Sequence, residues 1–316
     1  TELALIFDDP TALQSLRAVA AEESQKPAAR NRAIHALVAK RADNLAPLLL
    51  QLVDDPIVQQ SAIRGLAEYN DAAIPAKLLA TFGQLDSTVR QDAIQTLASR
   101  PLWAMQLLDA IATGQIARNE ITAFTARQID AHGNAELKSR LTTVWGELRS
   151  TSADKEKLIA SYKKQLSNVS SSTADRTSGR VLFKKSCAAC HRLFDDGGNI
   201  GPNITGSQRT NLDYLLQTII DPSAAVARDY QMQVIATVSG RVITGVVTDE
   251  TKTAVTLRTV NESIVVPTSE IDERATSPLS LMPDGLLQNL TVEQIRQLIA
   301  YLTSPEQIPL PPTEGD

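Results

Sequence analysis

Five consecutive residues hold all of the thiol chemistry of this 316-residue chain. Cys187 and Cys190 are its only two cysteines, and His191, one of three histidines, follows them directly in the sequence CAACH. On a helix, this cysteine spacing places the two thiols about one turn apart. Two thiols and an imidazole so close together predict a single binding or redox site.

Three kinds of site would account for the two neighbouring thiols without the adjacent histidine. A structural zinc site needs four ligands, usually two pairs, but there is no second cysteine pair, and His35 and His132 lie in the first half of the chain. A thioredoxin-like redox pair is expected after a strand in a βαβ unit, whereas CAACH ends a predicted helix. A structural disulfide or buried thiol pair stays open, although it leaves the adjacent histidine unexplained.

Covalently attached haem accounts for all three residues and for their order. In C-x-x-C-H, the two thiols bond to the haem vinyl groups and the histidine places its imidazole against the iron. The segment GPNITG (201–206) follows closely. The Pro202 carbonyl can accept a hydrogen bond from Nδ1–H of His191, which would fix the tautomer of the ligand. A simple turn is the alternative interpretation of this Gly-Pro pair.

A second axial ligand is expected among the three methionines. Met105 lies in the apolar segment PLWAMQLLDA, which is typical of a core methionine. Met232 begins a predicted strand. Met282 lies in SPLSLMPDG, a loop containing proline and glycine before the last predicted helix, and it is the predicted thioether ligand. The alternative for Met282 is a loop methionine packed into the core.

Further haem contacts are predicted from their position near these segments. Arg209 is a candidate partner for a haem propionate, with a solvated surface arginine as the alternative. The candidate apolar pocket residues are Phe183, Ile204, Leu212, Leu215 and Leu216.

The first half of the chain repeats a helical pattern with a period of about 30 residues. Similar blocks place alanines at Ala33, Ala62, Ala93 and Ala123, with apolar stretches between the blocks. Each unit predicts two helices, and such pairs stack on their neighbours to bury their apolar faces. Over roughly residues 8–148 these units resemble HEAT repeats, and the fourth departs from the others at Arg127. An irregular α-helical domain is the alternative.

The second half mixes helices with strands. Helices are predicted at 153–166, 211–223 and 290–304, the last with Thr291 as its N-cap. Alternating Val, Ile and Thr over 231–267 predict three or four antiparallel strands, with turns at Ser239-Gly240 and Asp249-Glu250. The predicted divisions are helical repeats at 1–150, a helix and Ser-rich linker at 151–178, a haem domain at 179–304 with a β insertion near 230–270, and a Pro-rich tail at 305–316.

Several motifs in one order carry a family resemblance. GRVLF, CAACH, GPNITG, LMPDG and IAYL, over about 174–304, resemble class I cytochromes c. They are more similar still to the C-type haem domain of Planctomycetes and Verrucomicrobia, which carries an insertion like the predicted sheet. The resemblance implies a mainly α fold, in which a HEAT-like α-solenoid precedes a class I-like cytochrome c domain with a small antiparallel β insertion.

The same resemblance implies specific contacts. Gly179 and Phe183 on the first helix of the domain are expected to cross the last helix near Leu298 and Tyr301. His191 and Met282 are expected to be the two axial ligands. Met282 lies much further from His191 than in a simple class I cytochrome, and the predicted sheet fills much of the interval. The sheet could also cover the haem or bring Met232 near it.

These inferences predict electron transfer by one covalently bound haem c. With both axial positions filled, the iron suits one-electron transfer, so the chain is expected to carry electrons and not to be an enzyme on its own. The expected partner is a redox protein or a fused dehydrogenase domain, because related haem domains accompany dehydrogenase-like proteins. The repeats would offer a protein docking surface or serve as a spacer. A peroxidase-like haem enzyme and a haem-free interaction module are the alternatives.

Composition argues against two further classes, nucleic-acid-binding proteins and membrane-spanning proteins. Lys and Arg total 31 against 36 for Asp and Glu, a net charge of −5, and the absence of a long basic run argues against nucleic-acid binding. No apolar run approaches the ~20 residues of a membrane span. The family resemblance implies a periplasmic or extracytoplasmic location, where covalent haem attachment takes place. The opening TELALIFDDP lacks signal-peptide features, as expected of a mature chain or a piece of a longer one.

Overall fold

The computed structural model describes residues 10–166, 175–259 and 262–311. The chain divides into two compact units, the first comprising 1–121 and 128–144 and the second 122–127 and 145–316. The predicted Ser-rich stretch up to residue 174, and the predicted tail from residue 312, lie outside the described residues. In the described ranges, no helix is both long and apolar enough to cross a bilayer.

The first unit is built from helices joined by short turns. Several helices begin with proline at the first or second position, where the missing amide hydrogen costs no helical hydrogen bond. Helix α8 contributes residues to both units. The helices are α1 (Pro10–Ala21), α2 (Pro27–Ala39), α3 (Ala46–Leu52), α4 (Gln59–Leu66), α5 (Ala73–Thr81), α6 (Ser87–Ala98), α7 (Pro101–Ala112), α8 (Ala123–Asp130) and α9 (Ala135–Val144).

These helices pack in successive pairs, as the repeated blocks predict. α1 packs on α2, α3 on α4 and α5 on α6, while α2, α4 and α6 stack on one another. Ala33, Ala62 and Ala93, the repeated alanines of the first three blocks, are all buried. Ala123 is only half-buried, in keeping with the departure of the fourth block.

Polar side chains also join neighbouring pairs. Ser61 Oγ donates to Asn31 Oδ1, and Arg64 Nε donates to Asp92 Oδ1 at 2.8 Å. These partners are 30 and 28 positions apart, close to the sequence period. Residues about one period apart in the sequence are therefore neighbours in the structure. The assignment of the helical pairs to HEAT repeats stays a prediction.

In its described residues, the second unit combines four further α-helices with the sheet. The side chain of Asn211 caps the start of α12. The side chain of Thr291 caps the start of α13, as predicted, and forms a capping box with Gln294. α11 crosses α13, and α10 packs on α12. The helices are α10 (Ala153–Leu166), α11 (Arg176–Ser186), α12 (Leu212–Ile220) and α13 (Val292–Leu302).

Two antiparallel sheets complete the second unit, as far as its residues are described. A small hairpin pairs β1 (Arg192–Leu193) with β2 (Asp196–Gly197). The larger sheet has the order β6-β5-β4-β3-β7, and its buried face includes Ile235, Val255 and Leu257. Its strands are β3 (Gln231–Thr237), β4 (Val242–Glu250), β5 (Ala254–Arg258), β6 (Ser263–Pro267) and β7 (Ile271–Ser280).

The sheet differs from its prediction in two respects. β7 is a fifth strand beyond the predicted insertion, and its side chains are mostly exposed, so it lacks the apolar alternation that marks a strand. The turn predicted at Asp249-Glu250 was wrong. β4 continues through both residues, and the chain reverses where the Thr251 amide donates to the Ala254 carbonyl at 2.9 Å.

Helix α10 belongs to the core of the second unit, although the sequence placed it with the linker. Leu166 is buried, and Leu158, Ile159 and Tyr162 pack against the same cluster as Leu215. Lysine and acidic residues on its other faces make the helix polar overall, so the apolar stripe is difficult to recognise in the sequence.

Candidate haem-binding site

The CAACH segment forms a turn directly after α11. The amides of Cys187 and Ala188 both donate to the Phe183 carbonyl, at 2.8 and 2.9 Å, and the His191 amide donates to the Cys187 carbonyl at 2.9 Å. Phe183 is completely buried and its ring centroid lies 5.5 Å from that of Tyr301 on α13. The helix crossing therefore anchors the start of the segment that holds both thiols.

The imidazole of His191 is held from one side. Its Nδ1 lies 3.0 Å from the carbonyl oxygen of Pro202. Burial lowers the pKa of His191, and the contact with Pro202 opposes that shift only in part. The ring is therefore neutral near pH 7, with its hydrogen on Nδ1 and its lone pair on Nε2. Among the described residues Nε2 has no hydrogen-bond partner, which suits a nitrogen that ligates a metal.

Two glycines allow this packing around His191. A Cβ on Gly201 would lie 2.8 Å from Cε1 of the imidazole, so the ring rests against bare main chain. Gly197 has a φ of +114°, and a Cβ there would lie 2.1 Å from the His191 carbonyl oxygen. From the sequence, Pro202 alone was predicted to contact His191 here. The glycines that follow CAACH in the sequence could have indicated that main chain packs closely against His191.

The GPNITG segment lies directly on CAACH. The Gly201 amide donates to the Cys190 carbonyl and the Ile204 amide to the Arg192 carbonyl, both at 2.9 Å. Leu193, between the two segments, is fully buried. These main-chain bonds fix the position of Pro202 relative to the imidazole.

Both cysteines are free and half-buried. Burial, with a smaller contribution from Cys190, raises the pKa of Cys187 to about 12. Burial also raises the pKa of Cys190. Both are therefore neutral thiols at pH 7 and not the low-pKa thiolates of reactive redox cysteines. Two unpaired thiols beside a neutral imidazole with a free Nε2 are the donor set that a covalently attached haem requires.

The predicted pocket residues fall into two groups. Leu215 and Leu216 are buried in the helical core together with Phe183. Ile204 and Leu212 are half-buried and pack on the edge of this core, as Cys187 does. The structure thus gathers all five apolar candidates in one cluster, and their contact with haem stays a prediction.

Arg209 has main-chain partners within the protein. Its Nε donates to the Thr205 carbonyl at 3.2 Å, and its Nη1 donates to the carbonyls of Leu302 and Ser304. The guanidinium also lies over the ring of Phe194, 5.0 Å from its centroid. Arg209 therefore ties the GPNITG loop to the end of α13. The predicted propionate contact would use the same side chain and stays a prediction.

Met282 lies in a bend just after β7 and is half-buried. Its amide donates to Ser280 Oγ at 3.1 Å, and the Ser280 amide donates to Ser223 Oγ at the same distance. Met232, by contrast, lies within β3, where it pairs with Val246. The loop around Met282 is therefore attached to the helical part of the unit, and its role as an iron ligand stays a prediction.

Comparison with known proteins supports the class of this site. Residues 174–233 match the family described as cytochrome c oxidase, cbb3-type, subunit III. The matched stretch contains CAACH and GPNITG and ends before Met282. It supports a c-type cytochrome domain, and haem binding follows from that class. No curated protein matches the chain.

Proposed function

We propose that this protein transfers single electrons through one haem c, held by Cys187 and Cys190 and ligated by His191 and Met282. The observation that carries the proposal is the contact between His191 Nδ1 and the Pro202 carbonyl, directly after two free thiols. This contact commits Nδ1 to the protein and leaves Nε2 for iron.

Each group has a separate task in this function. The bound haem would supply a one-electron iron couple. The cysteines would tether it, and the neutral imidazole, kept in orientation by Pro202 and Gly201, would offer its Nε2 lone pair to the iron. The buried cluster of Phe183 and its neighbours would exclude water from one side of the haem. Met282 would supply a thioether as the second protein ligand, which would raise the reduction potential and leave the iron without a site for a substrate.

The partner and location are part of the same proposal. A redox protein or a fused dehydrogenase domain would donate or accept the electron outside the cytoplasm, in the periplasm or beyond. The stacked helical pairs of the first unit would dock that partner, since stacked repeats suit extended protein contacts. Co-purification with a dehydrogenase, lost when residues 10–121 of the first unit are deleted, would support this part of the proposal.

Intact mass under denaturing conditions tests the central claim. The chain should be produced in a bacterium that exports it and attaches haem to C-x-x-C-H segments. We expect the mass of the chain plus one haem, because thioether bonds survive denaturation. The double variant Cys187→Ala/Cys190→Ala should show the mass of the chain alone. An unmodified wild-type mass would overturn covalent attachment, and a high-spin ferric spectrum would overturn the Met282 ligand in favour of a haem enzyme.

A further inference from the structure

The loop that carries Met282 is anchored at both of its ends. At one end, the Ser280 amide donates to Ser223 Oγ at 3.1 Å. At the other, Leu287 is buried in the helical core. Between them, Pro283 and Asp284 are exposed, so main-chain and apolar contacts alone leave the middle of the loop weakly held.

A lysine from a distant part of the sequence contacts this middle segment. Lys155 Nζ on α10 lies 3.0 Å from Asp284 Oδ2 and 2.8 Å from Asp221 Oδ1. Asp221 is the C-cap residue of α12 and is only 7% exposed. A buried carboxylate at the negative end of a helix dipole needs a cation. Lys155 is therefore fixed by Asp221 and has a further hydrogen bond to give to the loop.

We propose that Lys155 is a positioning residue that holds Met282 in place through Asp284. The ionic cluster of Lys155, Asp221 and Asp284 joins α10, the end of α12 and the Met282 loop. This inference rests on the proposed role of Met282 as an axial ligand. It adds a residue that lies before CAACH in the sequence and outside every segment with a family resemblance.

The position of Lys155 is itself well defined. α10 packs on α12, with Leu158, Ile159 and Tyr162 against the helical core and Leu166 buried in it. A side chain on a firmly packed helix restricts the loop at small entropic cost, since the helix is already ordered. A neutral thioether is easily displaced by a stronger ligand, so restriction of its loop increases the time that it stays on the iron.

The effect of the Asp284 contact should be modest and measurable. Asp284 is 59% exposed at its side chain and Lys155 is 28% exposed. Exposed ion pairs of this kind change an equilibrium by about 2- to 5-fold, and salt weakens them.

The test compares two aspartate variants of the haem-loaded protein. Asp284→Asn removes the loop contact and keeps the pair of Lys155 with Asp221. Asp213→Asn is the matched control, because the Lys163–Asp213 pair also joins α10 to α12, at 2.6 Å and with a 63% exposed carboxylate, but does not involve the Met282 loop. Lys155→Met removes the cation that bonds to the buried Asp221 and leaves only the charge of Arg127 near it. This variant is expected to be unstable, so the aspartate variants carry the test.

Two measurements decide the outcome. Displacement of Met282 from ferric haem is followed by titration with imidazole, and loop freedom by hydrogen exchange of the peptide covering 280–290. In Asp284→Asn we expect imidazole to bind about 2- to 5-fold more tightly and the peptide to exchange faster, with Asp213→Asn unchanged in both. Added salt should strengthen imidazole binding to the wild type more than to Asp284→Asn.

Failure of this inference is distinct from failure of the proposed function. A wild type that shows the weak red absorption band of thioether-ligated ferric haem, with imidazole binding and exchange unaltered in Asp284→Asn, overturns the role of Lys155 and leaves the electron-transfer proposal intact. A wild type without that band overturns the Met282 ligand, and with it a role for Lys155 in ligation, whatever the exchange measurement shows.

Discussion

Gly179 on α11 faces the main-chain carbonyl of Gln297 on α13, so closely that a Cβ at Gly179 would lie 2.0 Å from that oxygen. The same Cβ would lie 2.8 Å from Cβ of Tyr301. The two helices therefore cross backbone to backbone, and the crossing places Phe183, whose carbonyl caps the turn into CAACH, against Tyr301.

Gly179→Ala should destabilise the second unit by about 1–3 kcal/mol, because the methyl group forces the helices apart, even though alanine favours helix formation. Chemical denaturation followed by haem absorbance measures the change. Gly83→Ala in the first unit, followed by circular dichroism, is the control for the substitution itself, since a Cβ at Gly83 would meet no non-neighbouring atom within 4 Å; it should change stability by less than about 0.5 kcal/mol. Equal effects of the two variants would mean that the crossing tolerates a side chain.

Met282→Ala should leave the haem attached and lower the reduction potential. The expected fall is on the order of 100 mV, within the ~0.8 V that axial ligands span, because the thioether no longer stabilises ferrous iron. Redox titration measures the potential and denatured mass checks the attachment. Met232→Ala is the matched control and should leave the potential unchanged; the reverse result would identify Met232 as the ligand.

Arg209→Met separates a structural role from a propionate contact. Loss of the buried hydrogen bonds to the Thr205, Leu302 and Ser304 carbonyls should cost about 2–4 kcal/mol of unfolding free energy, with little change in reduction potential. Arg241→Met, at an exposed arginine, should alter neither quantity. A large change in potential with little loss of stability would instead assign Arg209 to a propionate.

Asp196 should make the second unit sensitive to acid. A hydrogen bond from Arg180, together with the charge of Lys184, lowers the pKa of Asp196. A carboxylate with a lowered folded-state pKa stabilises the fold above its unfolded pKa, near 4, and this stabilisation is lost as the pH falls through the folded value. Asp196→Asn should therefore reduce the difference between urea midpoints at pH 6 and pH 3.

Asp195→Asn supplies the control for this prediction. The neighbouring side chain is fully exposed, and its nearest cation is Arg192 at 3.8 Å. The Asp195→Asn variant should show the same difference between urea midpoints at pH 6 and pH 3 as the wild type. If Asp196→Asn also matches the wild type, the pairing of Asp196 with Arg180 contributes nothing to acid stability.

The proximal side of the candidate site could be predicted from sequence because it is local. Cys187, Cys190 and His191 adjoin one another, and Pro202 follows a few residues later, so spacing alone suggested a relation that the main-chain geometry now supports. The crossing of Gly179 with α13 was predicted through family resemblance. No local pattern links those two distant helices.

The remaining parts depend on contacts that a linear pattern does not encode. Lys155 belongs to a helix rich in charged residues, and its partners Asp221 and Asp284 lie far along the chain. Arg209 was predicted to be a propionate partner, with a surface arginine as the alternative, and no sequence pattern indicated its hydrogen bonds to the end of α13. β7 was missed because its exposed side chains follow no apolar alternation.

The crossing of α11 with α13 has a consequence for the order of biosynthesis. α13 is the last helix of the described chain to be synthesised, whereas α11 and CAACH are made long before it. Until α13 is present, Phe183 has no Tyr301 to pack against, and the turn that holds Cys187 lacks its support. If the proposed function holds, haem would therefore be attached most easily before α13 packs on α11, while the segment that carries both thiols lacks the support of the finished fold.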